Sequence, residues 1–416
     1  MAEAAQLCPP AKRMAVRLRE AYQKRQYQKK YASQYETDAK LVLFCAYSGR
    51  QYACSPKALY EQMCREERYK DYHFVWAFCN PEEFSSLESG RTRLVRYGSD
   101  DFQKVLAQAA YWITNTRIPG FAVKKPDQVY VQTWHGTPLK RLGFDVEHYI
   151  TGADDKKSMQ RSYLTDAVRY DYLLSPSPYY SEKMRSAFHL DEIHKSDCVL
   201  ELGYPRNDSL YTSTDADRER IRQQLGVSDQ KVILYAPTWR EEGLRPQEGY
   251  TYGNGLKLLL GLDLSRLQEQ LGEEYVILLR CHYYISALAA KQCAKGQIVD
   301  VSSYPEINEL YLAADLLLTD YSSVFFDYAV TKKPMLFYMY DLPHYREVRD
   351  FYFDTDRLPG EIITKEEKLV DAIRQSITVP PDLEKYDRFL ADFQPHPGAC
   401  AKEVLKRVIR ETDIKS

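Results

Sequence analysis

Short, nearly continuous runs of aliphatic and aromatic residues alternate along this chain with segments in which apolar positions return every third or fourth residue. Continuous runs mark strands buried on both faces, and the helical recurrence marks helices packed over them. In the first half the runs are 40–46, 73–79, 111–114, 129–134, 172–174 and 198–202, with helices expected at 56–67 and 102–110. In the second half they are 232–236, 275–280, 297–301, 314–319 and 334–338, with helices near 263–271, 305–313 and 323–331 and a closing helix at 400–411. The segment 145–168 is polar and shows no strand pattern. Alternation of this kind predicts βαβ units and parallel sheets, an α/β protein of two Rossmann-like domains facing one another across a cleft. Turn residues at Gly203-Tyr-Pro-Arg-Asn-Asp208 and the charged helix after them set the boundary. The expected organisation is a basic segment 1–35, an N-terminal domain 36–210 and a C-terminal domain 211–416 whose last helix can return to the first domain.

A chain of 416 residues exceeds what one ordinary core supports, in keeping with two domains. A net charge of -2 argues against a nucleic-acid partner. Nine scattered cysteines without a CxxC pair indicate neither a zinc ribbon nor a disulfide framework, and they fit a reducing cytoplasm. No apolar run nears the roughly 20 residues that span a bilayer, and no signal-peptide pattern opens the chain. One local departure matters. Residues 11–35 carry Lys12, Arg13, Arg17, Arg19, Lys24, Arg25, Lys29 and Lys30, with Met14, Leu18, Ala21 and Tyr22 on a short apolar stripe. That pattern suits contact with a membrane surface or a polyanion, and equally a solvated basic helix packed through its tyrosines.

Neither half contains GxGxxG, a Walker A loop or HExxH, so a dinucleotide, a P-loop nucleotide and a zincin metal are not indicated. The two DxD pairs, Asp215-Ala-Asp217 and Asp354-Thr-Asp356, raise metal-dependent sugar transfer, but the first opens a helix, where Asp serves as a cap. The informative residues stand at strand ends, where open α/β sheets bind ligands. The 129–134 run stops at His135-Gly136-Thr137-Pro138-Leu139, followed by Lys140 and Arg141. The 314–319 run leads through Asp320 and Tyr321 to Ser322 and Ser323, hydroxyls at a helix start that either cap it or hold a phosphate. Arg280-Cys281-His282 closes another strand, offering a permanent cation and a proton carrier. Pro237, Thr238 and Arg240 end a third, and Arg206 sits in the domain-boundary turn, either for a ligand or as a partner of Asp208. The set is rich in cations and hydroxyls and poor in carboxylates, the composition expected around a diphosphate. It implies no resident metal and no required cofactor, with a divalent cation left open.

Trp134-His-Gly-Thr-Pro-Leu-Lys140, Gly203-Tyr-Pro-Arg-Asn-Asp208, Ala236-Pro-Thr-Trp-Arg240, Arg280-Cys-His282 and Asp320-Tyr-Ser-Ser323 with Phe326-Asp327 occur in that order. So ordered, and over about 35–355, the chain resembles the CDP-glycerol glycerophosphotransferase family of teichoic-acid synthesis. The resemblance implies a GT-B fold and transfer of glycerol phosphate from CDP-glycerol to a hydroxyl of a lipid-linked acceptor, with release of CMP. It implies catalytic roles for His135 and His282, as base and phosphate clamp in either assignment. It implies substrate contacts from Gly136, Thr137, Pro138, Leu139, Arg206, Pro237, Thr238, Arg280, Cys281, Ser322, Ser323 and Asp327. A peripheral position on the inner face of the cell membrane follows from such an acceptor. The chain departs from the family in Tyr283, where Pro is usual, and in Pro397-Gly398-Ala399, where Asp-Gly is usual. Three rivals remain: CDP-ribitol as donor, a sugar-transferring GT-B enzyme, and a non-catalytic scaffold of the same polymer pathway.

Overall fold

A computed structural model describes residues 9–147, 153–227, 229–238, 261–281, 297–348, 351–410 and 413. Two parallel sheets form the frame. The first contains β1 (Asp38–Cys45), β2 (His73–Phe78), β3 (Thr92–Arg96), β4 (Ala109–Thr114), β5 (Val129–Gln132), β6 (Tyr172–Ser175) and β7 (Val199–Glu201), in the order β3-β2-β1-β4-β5-β6-β7. The second contains β8 (Lys231–Ala236), β9 (Tyr275–Leu279), β10 (Ile298–Asp300), β11 (Leu316–Thr319), β12 (Met335–Tyr338) and β13 (Glu361–Ile363), in the order β10-β9-β8-β11-β12-β13. Both orders run outward from the first strand of the set and then reverse, the doubly wound arrangement with a topological switch point. In the first sheet the switch lies between β1 and β4, and in the second between β8 and β11.

The central strands form because they are apolar on both faces. Val42, Leu43 and Phe44 of β1 are fully buried, as are Val75, Trp76 and Ala77 of β2. Helices Cys54–Arg65 and Cys400–Val408 cover one face through Leu59, Met63, Val404, Leu405 and Val408. Helices Asp100–Gln108 and Pro178–Ala187 cover the other through Phe102, Val105, Leu106, Tyr180 and Met184. In the second sheet Ile233, Ile277 and Leu316 pack under Leu264, Leu267 and Leu271 of helix Leu264–Leu271.

The chain divides into two compact units, the first made of 1–135, 142–208 and 399–416 and the second of 136–141 and 209–398. The short stretch 136–141 therefore lies outside the continuous N-terminal domain expected from sequence. The last helix belongs to the first unit, and its start explains how. Ala399 stands at φ 58° and has no capping side chain, so Asp208 supplies the cap from far away in sequence. Its two carboxylate oxygens accept the amides of Cys400 (2.9 Å) and Ala401 (2.8 Å).

Several elements escape the apolar pattern, among them helices Pro178–Ala187, Leu369–Thr378 and Leu383–Phe393, two edge strands and one polar helix. Strands β3 and β13 are edge strands with partly exposed side chains, so neither shows a continuous run. The polar segment 145–168 contains helix Ala153–Ala167, which buries only a narrow stripe including Tyr163 and Ala167.

Candidate functional site

In the first unit the carboxyl ends of β1, β4 and β5 converge on His135. β5 pairs with β4 as far as Thr114 and Gln132, and Thr133 N–H donates to the Thr114 carbonyl (2.7 Å). The strand then stops two residues earlier than its apolar run. Trp134 turns to φ 51°, a left-handed conformation that L-residues with a Cβ resist. That turn aims the next residue away from the ladder. His135 stacks on the Trp134 indole (centroids 4.6 Å apart), and the Tyr47 ring lies 6.1 Å off.

The imidazole is oriented by the backbone. His135 Nδ1 lies 2.7 Å from the carbonyl of Asn115, just past β4. A carbonyl only accepts, so Nδ1 carries the proton and Nε2 of the neutral ring keeps its lone pair. Burial amid the surrounding protein lowers the pKa, the Asn115 carbonyl opposes this, and the charges of Arg206 and Arg117 lower it further. The ring nonetheless keeps an exposed surface, so its desolvation is partial. A neutral imidazole with a free Nε2, open to solvent and flanked by cations, is equipped to take a proton from a hydroxyl near an anion.

Arg206 is buried, with its guanidinium 4.1 Å from the centroid of Tyr204 and Nη1 3.5 Å from the Cys54 sulfur. Asp208, its expected turn partner, directs its carboxylate to the last helix. Asn115 was not singled out from the sequence, because its backbone carbonyl, rather than its side chain, does the work. The signal that points to it is indirect: the residue just past a central strand beside the histidine's own strand.

The second unit gathers its predicted residues at its own switch point. Pro237 and Thr238 follow β8, while Asp320, Tyr321, Ser322 and Ser323 follow β11. Buried Asp320 ties these loops together, its Oδ1 accepting the amides of Thr238 (2.7 Å) and Tyr321 (2.6 Å). Ser323 precedes helix Val324–Tyr328 yet makes no side-chain capping bond. Its hydroxyl is thus not explained as a cap.

Gly136 is seated directly on that hydroxyl: a Cβ at 136 would lie 2.8 Å from Ser323 Oγ. The stretch 136–141 is fixed there by backbone pairing. Tyr352 N–H donates to the Leu139 carbonyl (2.8 Å), and Lys140 bridges to Phe351. Thr137 is buried, and its hydroxyl finds no hydrogen-bond partner among the described residues. Tyr345, which stacks on Tyr321 at 3.7 Å, meets Lys140 through its hydroxyl (3.4 Å). Tyr321 stands inside the serine motif, whereas Tyr345, Phe351 and Tyr352 lie beyond Asp327, where the sequence assigned no site residue.

Arg280 and Cys281 follow β9, the strand beside β8. Arg280 has a structural duty: Nη1 donates to the carbonyls of Val301 (2.6 Å) and Tyr304. The Cys281 amide donates to Ser302 Oγ (3.0 Å). Asp327 is buried, and its Oδ1 accepts from Gln394 Nε2 (3.3 Å), which ties the helix after the serine turn to the end of helix Leu383–Phe393. His282, Tyr283 and Arg240 lie outside the described residues. The DxD pair at 215–217 is a helix start, with Thr214 and Asp217 forming a reciprocal capping box.

The family model of CDP-glycerol:poly(glycerophosphate) glycerophosphotransferase matches residues 27–410. The chain is 36% identical over 375 residues to the teichoic acid poly(glycerol phosphate) polymerase of Bacillus spizizenii, covering 89% of this chain and 92% of that one. It is 37% identical over 387 residues to the protein of the same description from Staphylococcus epidermidis. There it covers 90% of this chain and spans about half (51%) of the relative's length. Among solved structures, the wall teichoic acid polymerase TagF, a histidine variant soaked with CDPG, superposes with a TM-score of 0.82 at 33% identity. That match covers 96% of this chain and 95% of the other, and with the two doubly wound sheets it makes the fold GT-B-like.

Proposed function

The chain belongs to the CDP-glycerol:poly(glycerophosphate) glycerophosphotransferase family, and from that premise we propose that it transfers glycerol phosphate from CDP-glycerol to a lipid-linked acceptor in teichoic-acid-type polymer synthesis. The observation that carries this reading is where the family-motif residues fall. Pro237, Thr238, Ser322 and Ser323 stand at the switch point of the second sheet, with Gly136 against the serine hydroxyl. His135 follows the end of β5 in the first unit, with Nε2 available.

In the proposed step an acceptor hydroxyl attacks the β-phosphorus of CDP-glycerol. The new P–O bond forms as the bond to the CMP oxygen breaks, and His135 Nε2 takes the hydroxyl proton. A positioned base of this kind contributes about 10²–10⁴-fold. The serine turn and the cationic charges of Arg280 and Arg206 stabilise the negative charge that develops on the diphosphate. His282 is proposed as a further phosphate contact, and no resident cofactor is proposed.

We extend the proposal to the inner membrane face, where a lipid-linked acceptor resides. In helix Pro9–Tyr27, Met14, Leu18 and Tyr22 are 64%, 63% and 64% exposed at four-residue spacing, beside exposed Arg19, Lys24 and Arg25. Tyr27 and Tyr31 anchor its far end in the core of the first unit. Among the described residues, no helix is long and apolar enough to cross a membrane.

The test is incubation of the full chain with CDP-glycerol or CDP-ribitol and a lipid-linked disaccharide, with nucleotide release and product size followed together. CMP release with CDP-glycerol, accompanied by growth of the lipid product, is expected. CDP release from a nucleotide sugar would replace the reading with sugar transfer, and preference for CDP-ribitol would change the donor.

A further inference from the structure

Strand β5 is apolar at Val129 and Val131, yet its last residue is Gln132, a fully buried amide. Each end of that amide has a partner. Gln132 Oε1 accepts the N–H of Trp134 (2.9 Å), while Nε2 donates to the Thr116 carbonyl (3.1 Å) and to the Tyr130 hydroxyl (3.1 Å). The first partner belongs to the residue at φ 51°, immediately before His135. The second belongs to the residue immediately after Asn115, whose carbonyl orients the imidazole. One side chain thus spans the two backbone segments whose relative position fixes the histidine ring.

We propose that Gln132 is a positioning residue for His135, holding the left-handed Trp134 turn and the Asn115–Thr116 segment in the register that presents Nε2 as a base. This rests on His135 being that base. Left-handed backbone at a bulky residue persists only where its surroundings over-determine it, and a bond to its own amide is such a constraint. Release of that amide lets Trp134 relax toward extended backbone, continuing the strand as its apolar pattern favours. His135 would then leave the Asn115 carbonyl.

The network behind Gln132 runs on to a buried ion pair. The Tyr130 hydroxyl lies 3.1 Å from Asp166, whose carboxylate also accepts from Tyr170 (2.8 Å) and Arg169 (2.5 Å). The Arg169 guanidinium donates to the carbonyls of Ile118 (2.9 Å), Pro119 (3.0 Å) and Ala122 (3.0 Å), in the same loop that begins at Asn115. Burial of this ion pair makes the loop after β4 a fixed wall, and Gln132 is the link from that wall to the histidine turn.

The experiment uses Gln132→Met, which matches volume and removes every hydrogen bond, and Gln132→Glu, which keeps an acceptor for Trp134 N–H. CMP release is measured at saturating CDP-glycerol, with kcat, the KM for CDP-glycerol and the pH dependence of kcat/KM for each. Misplacement of a base by a fraction of its working geometry costs about 10–100-fold. The expected result is a loss of that size in kcat for Gln132→Met, a KM for CDP-glycerol changed less than twofold, and partial recovery in Gln132→Glu. The acid limb of the profile should move to lower pH, because the Asn115 carbonyl contact favours the protonated ring. CDP-glycerol binding by calorimetry reports whether each variant is folded.

A folded Gln132→Met with wild-type kcat overturns the proposal. So does a loss in which KM rises in step while the acid limb stays put, which is general damage. If Gln132→Met does not fold, Gln132→Glu decides by the same criteria. Full turnover by His135→Ala sinks the underlying base assignment, whereas an inactive His135→Ala beside a fully active Gln132→Met sinks the positioning role alone.

Discussion

A single methyl group added at Gly136 tests the serine turn without replacing any proposed hydrogen-bonding group. Its Cβ would stand 2.8 Å from Ser323 Oγ, whereas ordinary contact begins near 3.4 Å. Gly136 is not among the residues of positive φ, so its backbone accepts Ala without strain. The clash is therefore relieved by the Ser323 hydroxyl, which must swing to another rotamer. If that hydroxyl donates to a charged phosphoryl oxygen, its withdrawal removes a bond worth about 1.5–3 kcal/mol. At 1.4 kcal/mol per tenfold, Gly136→Ala should lower kcat/KM for CDP-glycerol by about 10- to 100-fold. Stability should change by less than about 1 kcal/mol, since the lost glycine freedom offsets the local crowding. The assay is CMP release as a function of CDP-glycerol in a double-mutant cycle with Ser323→Ala. In the Ser323→Ala background the nearest atom to the new methyl is the 323 Cβ at 3.5 Å, an ordinary contact, so the second substitution should cost almost nothing. A coupling energy of about 1.5–3 kcal/mol, the whole of the Gly136→Ala loss, is expected. Strict additivity, or a Gly136→Ala enzyme with wild-type kcat/KM, would refute the reasoning.

Replacing His135 by Ala should reduce CMP release by about 10²–10⁴-fold with little change in melting temperature; a fully active variant would remove it as the base. Because burial and neighbouring cations lower the His135 pKa, the neutral, working form should persist through neutral pH, and kcat/KM should fall only as pH drops below about 6.5. An acid limb centred well above that value would point to a different base. Met14→Glu, Leu18→Glu and Tyr22→Glu combined should abolish co-sedimentation with vesicles containing anionic lipid, where each buried apolar side chain is worth up to about 1.5–3 kcal/mol. Undiminished binding counts against the membrane face. Truncation before residue 35 is a poorer probe, because it would also remove the buried anchors Tyr27 and Tyr31. Asp208→Ala strips the last helix of its only charged cap at Cys400 and Ala401 among the described contacts, and should cost about 2 kcal/mol, read as a fall of roughly 4–8 °C in Tm.

The two sheets were legible because burial on both faces forces a strand to be continuously apolar, and β1, β2, β4, β8, β9 and β11 meet that condition. The edge strands Thr92–Arg96 and Glu361–Ile363, with partly exposed side chains, do not, and left no run to read, although the edge strands β7 and β10 left one. Helix Ala153–Ala167 hid for a related reason, as a polar helix needs only a thin apolar stripe where it touches the rest of its unit. The strand-end chemistry was legible in residue type: hydroxyls at 238, 322 and 323, cations at 206 and 280, and an imidazole at 135. Its partition was not. Arg280 Nη1 serves the 301–304 loop, and Asp208 serves the last helix rather than acting only within its own turn.

The stretch that the apolar pattern overran is the most instructive. A continuous run from Val129 to Trp134 reads as one strand, and by propensity alone it would be one. Gln132 ends it instead: its amide takes the Trp134 N–H that a longer strand would offer to a neighbour, and the chain turns left-handed at once. A buried glutamine inside an apolar strand was the visible anomaly, for a buried amide must satisfy both its ends. The partners it finds are the backbone on either side of the histidine's hydrogen bond. Local propensity yields where a site demands a particular orientation, so a strand that ends early beside a polar core residue marks where chemistry, rather than packing, has set the backbone.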